Sequence, residues 1–279
     1  MKIAVFNQNR LGVVQNEEIF DVTEAVAWDT QNVQSSLVAL MTHFSEWKGK
    51  MADAMHAAPR HSLSQVKLQA PVPNPSKILA APVNYLSHQQ EMNEQFQNAP
   101  YTVEKLRLFL KAPSSIIGPD ETILLPYPDR RHDHEAELAF VIGKEAKDVK
   151  ASEAASYIFG YFALLDITLR GEEERTWRKS FDTFTPIGPW IVTADEVGDP
   201  HTLQMDLWVN EELRQSANTS KLICDCYKCL EIASHAMRLY PGDIITTGTP
   251  EGVGEIVKGD KVRIRIERIG EFSVEVDWK

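Results

Sequence analysis

The chain opens on three short runs in which apolar residues bunch between polar turns: Lys2 to Phe6, Leu11 to Val14 and Glu18 to Asp21. Such brief, bounded runs predict β-strands, and the helical period from Val33 to about Ala57 predicts a helical stretch after them. Pro71-Val72-Pro73-Asn74-Pro75-Ser76 then interrupts both patterns, because proline lacks the N–H that helices and ladders use. This punctuation predicts a small N-terminal α+β domain (1–70), a proline-rich linker (71–76) and a larger domain (77–279).

In the larger unit, Lys77 to Ala81 predicts a short strand, and Ser87-His88-Gln89-Gln90 has the capping-box spacing that opens a helix. His88 and Glu91, three residues apart, then share one helix face. Leu106 to Lys111 reads as a strand, Ile116 to Leu125 as turn-rich, and Glu135 to Ile142 as a strong strand stopped by Gly143. A helix from about Cys226 to Tyr240 ends at Pro241-Gly242. Beyond it, alternation at Val262, Ile264 and Ile266, then at Phe272, Val274 and Val276, predicts two final strands. Strands outnumber helices without a β-α-β rhythm or repeat, so the predicted class is a β-rich α+β fold rather than a Rossmann or TIM fold.

Composition adds exclusions. Across 279 residues, 43% hydrophobic and 25% charged content is that of a folded globular protein. Forty acidic against 29 basic residues give a formal charge of −11, which argues against nucleic acid or an anionic membrane surface as a partner. No apolar run approaches a transmembrane helix, and the start through Asn7 turns polar too soon for a signal peptide, so a cytoplasmic location is expected. Cys224, Cys226 and Cys229 are an odd number packed into six residues, unlike a secreted disulfide framework. They read as small buried hydrophobes, with a zinc or iron–sulfur site as the alternative.

The strand beginning at His134 carries the first chemistry. Period-two alternation sends Glu135 and Glu137 to one face and Ala136, Leu138, Phe140 and Ile142 to the other. On a solvent face the pair is bland, whereas lining a cleft it needs a cation, and oxygen-only ligation suits Mg2+, Mn2+ or Ca2+. Asp166 favours the cleft, since it sits in the apolar run Ile158 to Ile167, where an unpaired carboxylate is costly. A cupin-type site built on His132, His134 and Glu137 is the rival reading. A regular strand points those histidines away from the carboxylates, although a bulge reverses that parity.

Several separated motifs occur in order: Asn84-Tyr85-x-x-His88-x-x-Glu91, Glu135-x-Glu137, Asp166-x-Thr168-x-Arg170, Lys179-Ser180-Phe181-Asp182-Thr183-Phe184, Pro186-Ile187-Gly188-Pro189-Trp190 and Thr247-Gly248-Thr249-Pro250-Glu251-Gly252-Val253-Gly254. Together they resemble the fumarylacetoacetate hydrolase superfamily, in its acylpyruvase-type branch, over about Lys77 to Trp278. The resemblance implies a mixed β-sandwich roll, a homodimer and one divalent cation, Mg2+ or Mn2+ with Ca2+ as a further candidate, held by Glu135, Glu137 and Asp166. It implies a charged contact from Lys179 to a keto acid, seating of that acid by Arg170 and Thr249, and water activation by the lid dyad His88 and Glu91. Two positions depart from the family pattern: Glu173 stands where glutamine is common, and Ala81-Pro82-Val83 lacks the usual glycine before Asn84-Tyr85.

The implied activity is hydrolysis of the C3–C4 bond of an acylpyruvate of the fumarylpyruvate or maleylpyruvate type, giving pyruvate and a carboxylic acid. Decarboxylation of oxaloacetate or a related β-keto acid, isomerisation or hydration of an unsaturated 2-oxo acid, and a non-catalytic binding role are the alternatives. The polar, glutamine-rich segment from Tyr85 to Lys105 is expected to form a mobile lid.

Overall fold

A computed structural model of the chain describes residues 1–95 and 103–279, so part of the expected lid, 96–102, lies outside the described residues. The chain starts with the meander β1 (Lys2–Phe6), β2 (Arg10–Gln15) and β3 (Glu18–Asp21), then α1 (Val33–Thr42) and α2 (Phe44–Ala54), then β4 (Arg60–Ser62) and β5 (Leu68–Gln69). Next come β6 (Ile78–Ala80), α3 (Leu86–Gln95), α4 (Val103–Leu106), β7 (Phe109–Lys111), β8 (Ile116–Ile117) and β9 (Thr122–Leu125). The middle of the chain supplies β10 (His132–His134), β11 (Ala136–Ile142), β12 (Ile158–Leu165), β13 (Thr168–Leu169), α5 (Arg175–Arg178), β14 (Thr185–Thr193) and α6 (Ala194–Val197). It closes with β15 (Gln204–Val209), β16 (Glu212–Asn218), α7 (Cys226–Ala236), β17 (Ile244–Thr246), β18 (Gly254–Glu255), β19 (Lys261–Ile266) and β20 (Gly270–Trp278).

The strands form a long mixed sheet in the order β4-β3-β2-β1-β14-β12-β11-β17-β6-β7, a five-stranded sheet β16-β15-β19-β20-β9, and a small sheet β13-β10-β18. β1 pairs with β14 through Lys2 and Ile3 opposite Val192 and Ile191, so the N-terminal meander extends the long sheet. Val72 in the proline-rich stretch is fully buried. Leu138, Phe140 and Leu165 share one core with Leu207, Ile264 and Val274 of the five-stranded sheet. Ala139, Val141 and Leu164 pack on the opposite side against Leu37, Leu40 and Met51 of the N-terminal helices. Both faces of β11 and β12 are therefore covered, which is why these strands are so uniformly apolar.

Local boundaries differ where short-range signals compete. The expected helix from Val33 is two helices that meet at His43. α3 begins at Leu86, which places Ser87 inside the helix rather than at its cap. Leu106 ends α4, Arg107 takes a left-handed φ of 59°, and the strand starts only at Phe109. α7 stops at Ala236 because Met237 turns extended, before the proline is reached.

Candidate active site

The β10–β11 strand pair is interrupted at Glu135, whose backbone oxygen accepts from the Asp166 N–H at 2.8 Å. That bond registers the end of β12 against Glu135 and brings three carboxylates from two strands together. One oxygen each of Glu135, Glu137 and Asp166 lies within 4.8 Å of the others, and all three residues are buried.

Each carboxylate is held differently. Glu135 accepts from Lys179 Nζ at 2.8 Å, Thr168 Oγ1 at 3.0 Å and Arg170 Nη2 at 3.3 Å. Burial opposes its charge, but Lys179 and Arg170 outweigh burial and hold the carboxyl down to about 2. Asp166 accepts from Lys179 Nζ at 2.7 Å and from Lys111 Nζ. Glu137 takes no ion-pair partner among the described residues; its Oε2 accepts from Thr246 Oγ1 and from the Gly248 N–H at 2.8 Å. Burial, then the charges of Asp166 and Glu135, push its carboxyl up to about 8. The protein's own cations thus neutralise two of the three acids, and the third stays charged at neutral pH only beside a further cation. A hard divalent ion fits this all-oxygen donor set.

Lys179 also donates to Thr168 Oγ1 at 2.6 Å, so its ammonium is fully engaged with the acids and their neighbour. Arg170 spans Asp133 Oδ2, at 2.6 Å, and Glu135. Thr249, buried beside the carboxylate strand, accepts from Gln215 Nε2 at 2.9 Å, while Gln215 Oε1 accepts from the Ala136 N–H at 2.9 Å. His88 Nδ1 lies 2.9 Å from Glu91 Oε2, and His88 is buried.

Other expectations resolve by position. His132 stacks edge-on with Phe184 and Trp278, and His134 Nδ1 lies 3.3 Å from Gln215 Oε1. Neither joins the carboxylate cluster, which corrects the cupin reading. Glu173 is clamped by Arg130 through Nη1–Oε1 at 2.7 Å and Nη2–Oε2 at 2.8 Å. The three cysteines are free and buried, and burial raises the pKa of each thiol.

Residues 77–277 match the fumarylacetoacetate (FAA) hydrolase C-terminal family. The chain belongs to the fumarylacetoacetate hydrolase family. It is 44% identical over 284 residues to the maleylpyruvate hydrolase of Aquipseudomonas alcaligenes, covering 99% of each chain. The crystal structure of maleylpyruvate hydrolase from Sphingobium sp. SYK-6 in complex with manganese(II) and pyruvate superposes with a TM-score of 0.89 at 44% identity, over 100% of this chain and 99% of that one. A mitochondrial oxaloacetate tautomerase of Rattus norvegicus is 38% identical over 219 residues, 74% of this chain and 68% of its own. The strand-rich α+β architecture is accordingly that of the fumarylacetoacetate hydrolase fold, with an N-terminal sheet region.

Three residues around the carboxylates carried no role in the sequence reading. Lys111 is fully buried against Asp166; its signal is a lysine closing an apolar strand, Leu106 to Lys111. Gln215 gave none, because it sits in an otherwise exposed polar strand. Asn84 opens the first sequence motif, and its Nδ2 donates to Thr247 O at 2.8 Å and Cys224 O at 2.7 Å, tying the root of α3 to the Gly248 turn.

Proposed function

We propose that the protein is a divalent-metal-dependent hydrolase that cleaves the C3–C4 bond of an acylpyruvate, of the maleylpyruvate or fumarylpyruvate type, to pyruvate and a carboxylic acid. The observation that carries this reading is the convergence of buried Glu135, Glu137 and Asp166 into one all-oxygen cluster in which Glu137 has no cationic partner among the described residues. Full-length likeness to a maleylpyruvate hydrolase whose structure holds manganese and pyruvate supports it.

Glu135, Glu137 and Asp166 hold the cation, Mg2+ or Mn2+, which when bound supplies Lewis acidity to a 2-keto acid. Lys179 holds Glu135 ionised, bonds Asp166 and puts its positive field where enolate charge develops. Arg170 and Thr249 seat the keto acid. Glu91 accepts the Nδ1–H of His88, which leaves Nε2 with its lone pair as the base. His88 Nε2 takes a proton from water, the resulting hydroxide adds to C4, and the C3–C4 electron pair leaves to C3, where a proton completes pyruvate.

A homodimer accompanies this reading on the strength of the motif resemblance; among the described residues no helix is long and apolar enough to cross a membrane. Light scattering checks the homodimer. The test of the function is coupled pyruvate release from a panel of acylpyruvates and oxaloacetate. Turnover of acylpyruvates is expected to vanish with chelator and to return with Mn2+ or Mg2+. Full activity in a rigorously metal-free preparation, or oxaloacetate as the only substrate consumed, sinks it.

A further inference from the structure

Gln215 is the buried position of β16, a strand otherwise exposed or half-buried, and its own exposure is 2%. Its amide reaches two parts of the site. On one side Oε1 accepts from the Ala136 N–H at 2.9 Å, between the ligand positions Glu135 and Glu137, and lies 3.3 Å from His134 Nδ1. On the other side Nε2 donates to Thr249 Oγ1 at 2.9 Å, Pro250 O at 3.0 Å and Glu251 O at 3.3 Å. A Cβ at Gly252, where φ is 84°, would collide with the Arg214 oxygen, so β16 presses directly on this turn.

These partners fix which way the amide points. A backbone N–H only donates and a backbone carbonyl only accepts, so exchanging Oε1 and Nε2 would set donor against donor at Ala136 and acceptor against acceptor at Pro250 and Glu251. Thr249 Oγ1 therefore accepts from Gln215, because an amide nitrogen offers no lone pair. The threonine's own O–H is left unspent. Among the described residues it has no acceptor, although Thr249 is only 3% exposed. A buried donor without an acceptor is costly, which marks the place of a ligand oxygen. Thr249 directly follows Gly248, whose N–H holds Glu137 Oε2 at 2.8 Å, so this donor stands one residue along the chain from a bond to a metal carboxylate.

We propose that Gln215 is a positioning residue: it makes Thr249 an obligate hydrogen-bond donor, whose O–H is aimed at the carboxylate of the bound keto acid. The proposal rests on the reading above, in which Thr249 seats that acid, and adds the residue that sets the polarity of the seat. Donation to an anionic oxygen makes the bond a charge-assisted one. Gln215 acts through Thr249, from a strand of the five-stranded sheet, and the same amide holds the seat at a fixed spacing from the strand of metal ligands.

The test is calorimetric binding of Mn2+ to the protein and of pyruvate to the Mn2+-loaded protein. Gln215→Met, which keeps the bulk and loses the amide, is expected to weaken pyruvate by about tenfold, the scale of one charge-assisted hydrogen bond, and to leave Mn2+ affinity within about twofold. Thr249→Val should cost pyruvate about as much, while Thr249→Ser, which keeps the hydroxyl, should bind it as the wild type does. In the Thr249→Val background, where no hydroxyl remains to be aimed, Gln215→Met should weaken pyruvate no further. In acylpyruvate turnover Gln215→Met should raise KM more than it lowers kcat. Wild-type pyruvate affinity in Gln215→Met or in Thr249→Val overturns the proposal, as does an undiminished effect of Gln215→Met in the Thr249→Val background. Loss of Mn2+ binding in step with pyruvate also overturns it, since Gln215 is then only a scaffold of the carboxylate strand. A protein that shows the expected pyruvate pattern but releases no pyruvate from any acylpyruvate refutes the hydrolase reading and leaves the positioning role standing.

Discussion

The backbone N–H of Gly248 donates to Glu137 Oε2 at 2.8 Å, and it does so from a left-handed turn with φ of 85°. A Cβ there would lie 2.7 Å from the Ala81 oxygen and 3.0 Å from Asn84 Cβ. Only glycine lets the chain aim this N–H at the carboxylate while passing so close to the root of α3. Gly248→Ala is expected to cost about 1–3 kcal/mol of stability and to weaken Mn2+ binding at least several-fold. Thermal melts and metal titration check both, and an alanine variant with wild-type metal affinity would disconnect the turn from the site.

Lys111 is a structural counter-charge. Removing one partner of a buried ion pair costs about 3–5 kcal/mol when it strands the other, and less here because Asp166 keeps Lys179 at 2.7 Å. Lys111→Met should therefore lower the melting temperature of the metal-free protein markedly. Saturating Mn2+ should restore more stability to this variant than to the wild type, since the ion supplies charge that Asp166 has lost. Identical melts for the two proteins without metal would show that the pair contributes nothing net.

Metal uptake should depend on pH in a defined direction. Glu137, with its carboxyl pushed up to about 8, holds a proton at neutral pH in the metal-free protein and must release it to ligate a cation. Affinity for Mn2+ should rise as pH increases toward 8, by up to about tenfold per unit, and level off above. Calorimetry at pH 7 in buffers of different ionisation enthalpy should detect close to one proton released per ion. Glu137→Gln should lower affinity and flatten this slope, whereas a slope that survives the substitution assigns the proton to another group.

The dyad separates hydrolysis from decarboxylation. Water attack needs a base within hydrogen-bond reach, while loss of CO2 from a β-keto acid needs chiefly an electron sink. His88→Ala should depress acylpyruvate hydrolysis by about 10²-fold or more, and any oxaloacetate decarboxylation on the same preparation far less. Glu137→Ala should abolish both. Equal loss of the two activities in His88→Ala would make the dyad a shaper of the closed site rather than a handler of protons.

Short-range periodicity determined much of this protein by itself. Alternation alone put Glu135 and Glu137 on one face, three-residue spacing put His88 beside Glu91, and the apolar run around Asp166 marked it as a carboxylate needing a partner. Strand-rich class and the last two strands were equally legible, because side-chain period is a local property of the chain. What the sequence left open was which distant residue meets which. Lys111 reaches Asp166 across 55 positions and Thr246 reaches Glu137 across 109, through the registers β6–β7, β6–β17 and β11–β17. Gln215 joins Thr249 to the carboxylate strand only because two sheets pack face to face there. Register and packing are set by the whole core at once, so the partners that decide charge at the site were fixed by tertiary structure alone.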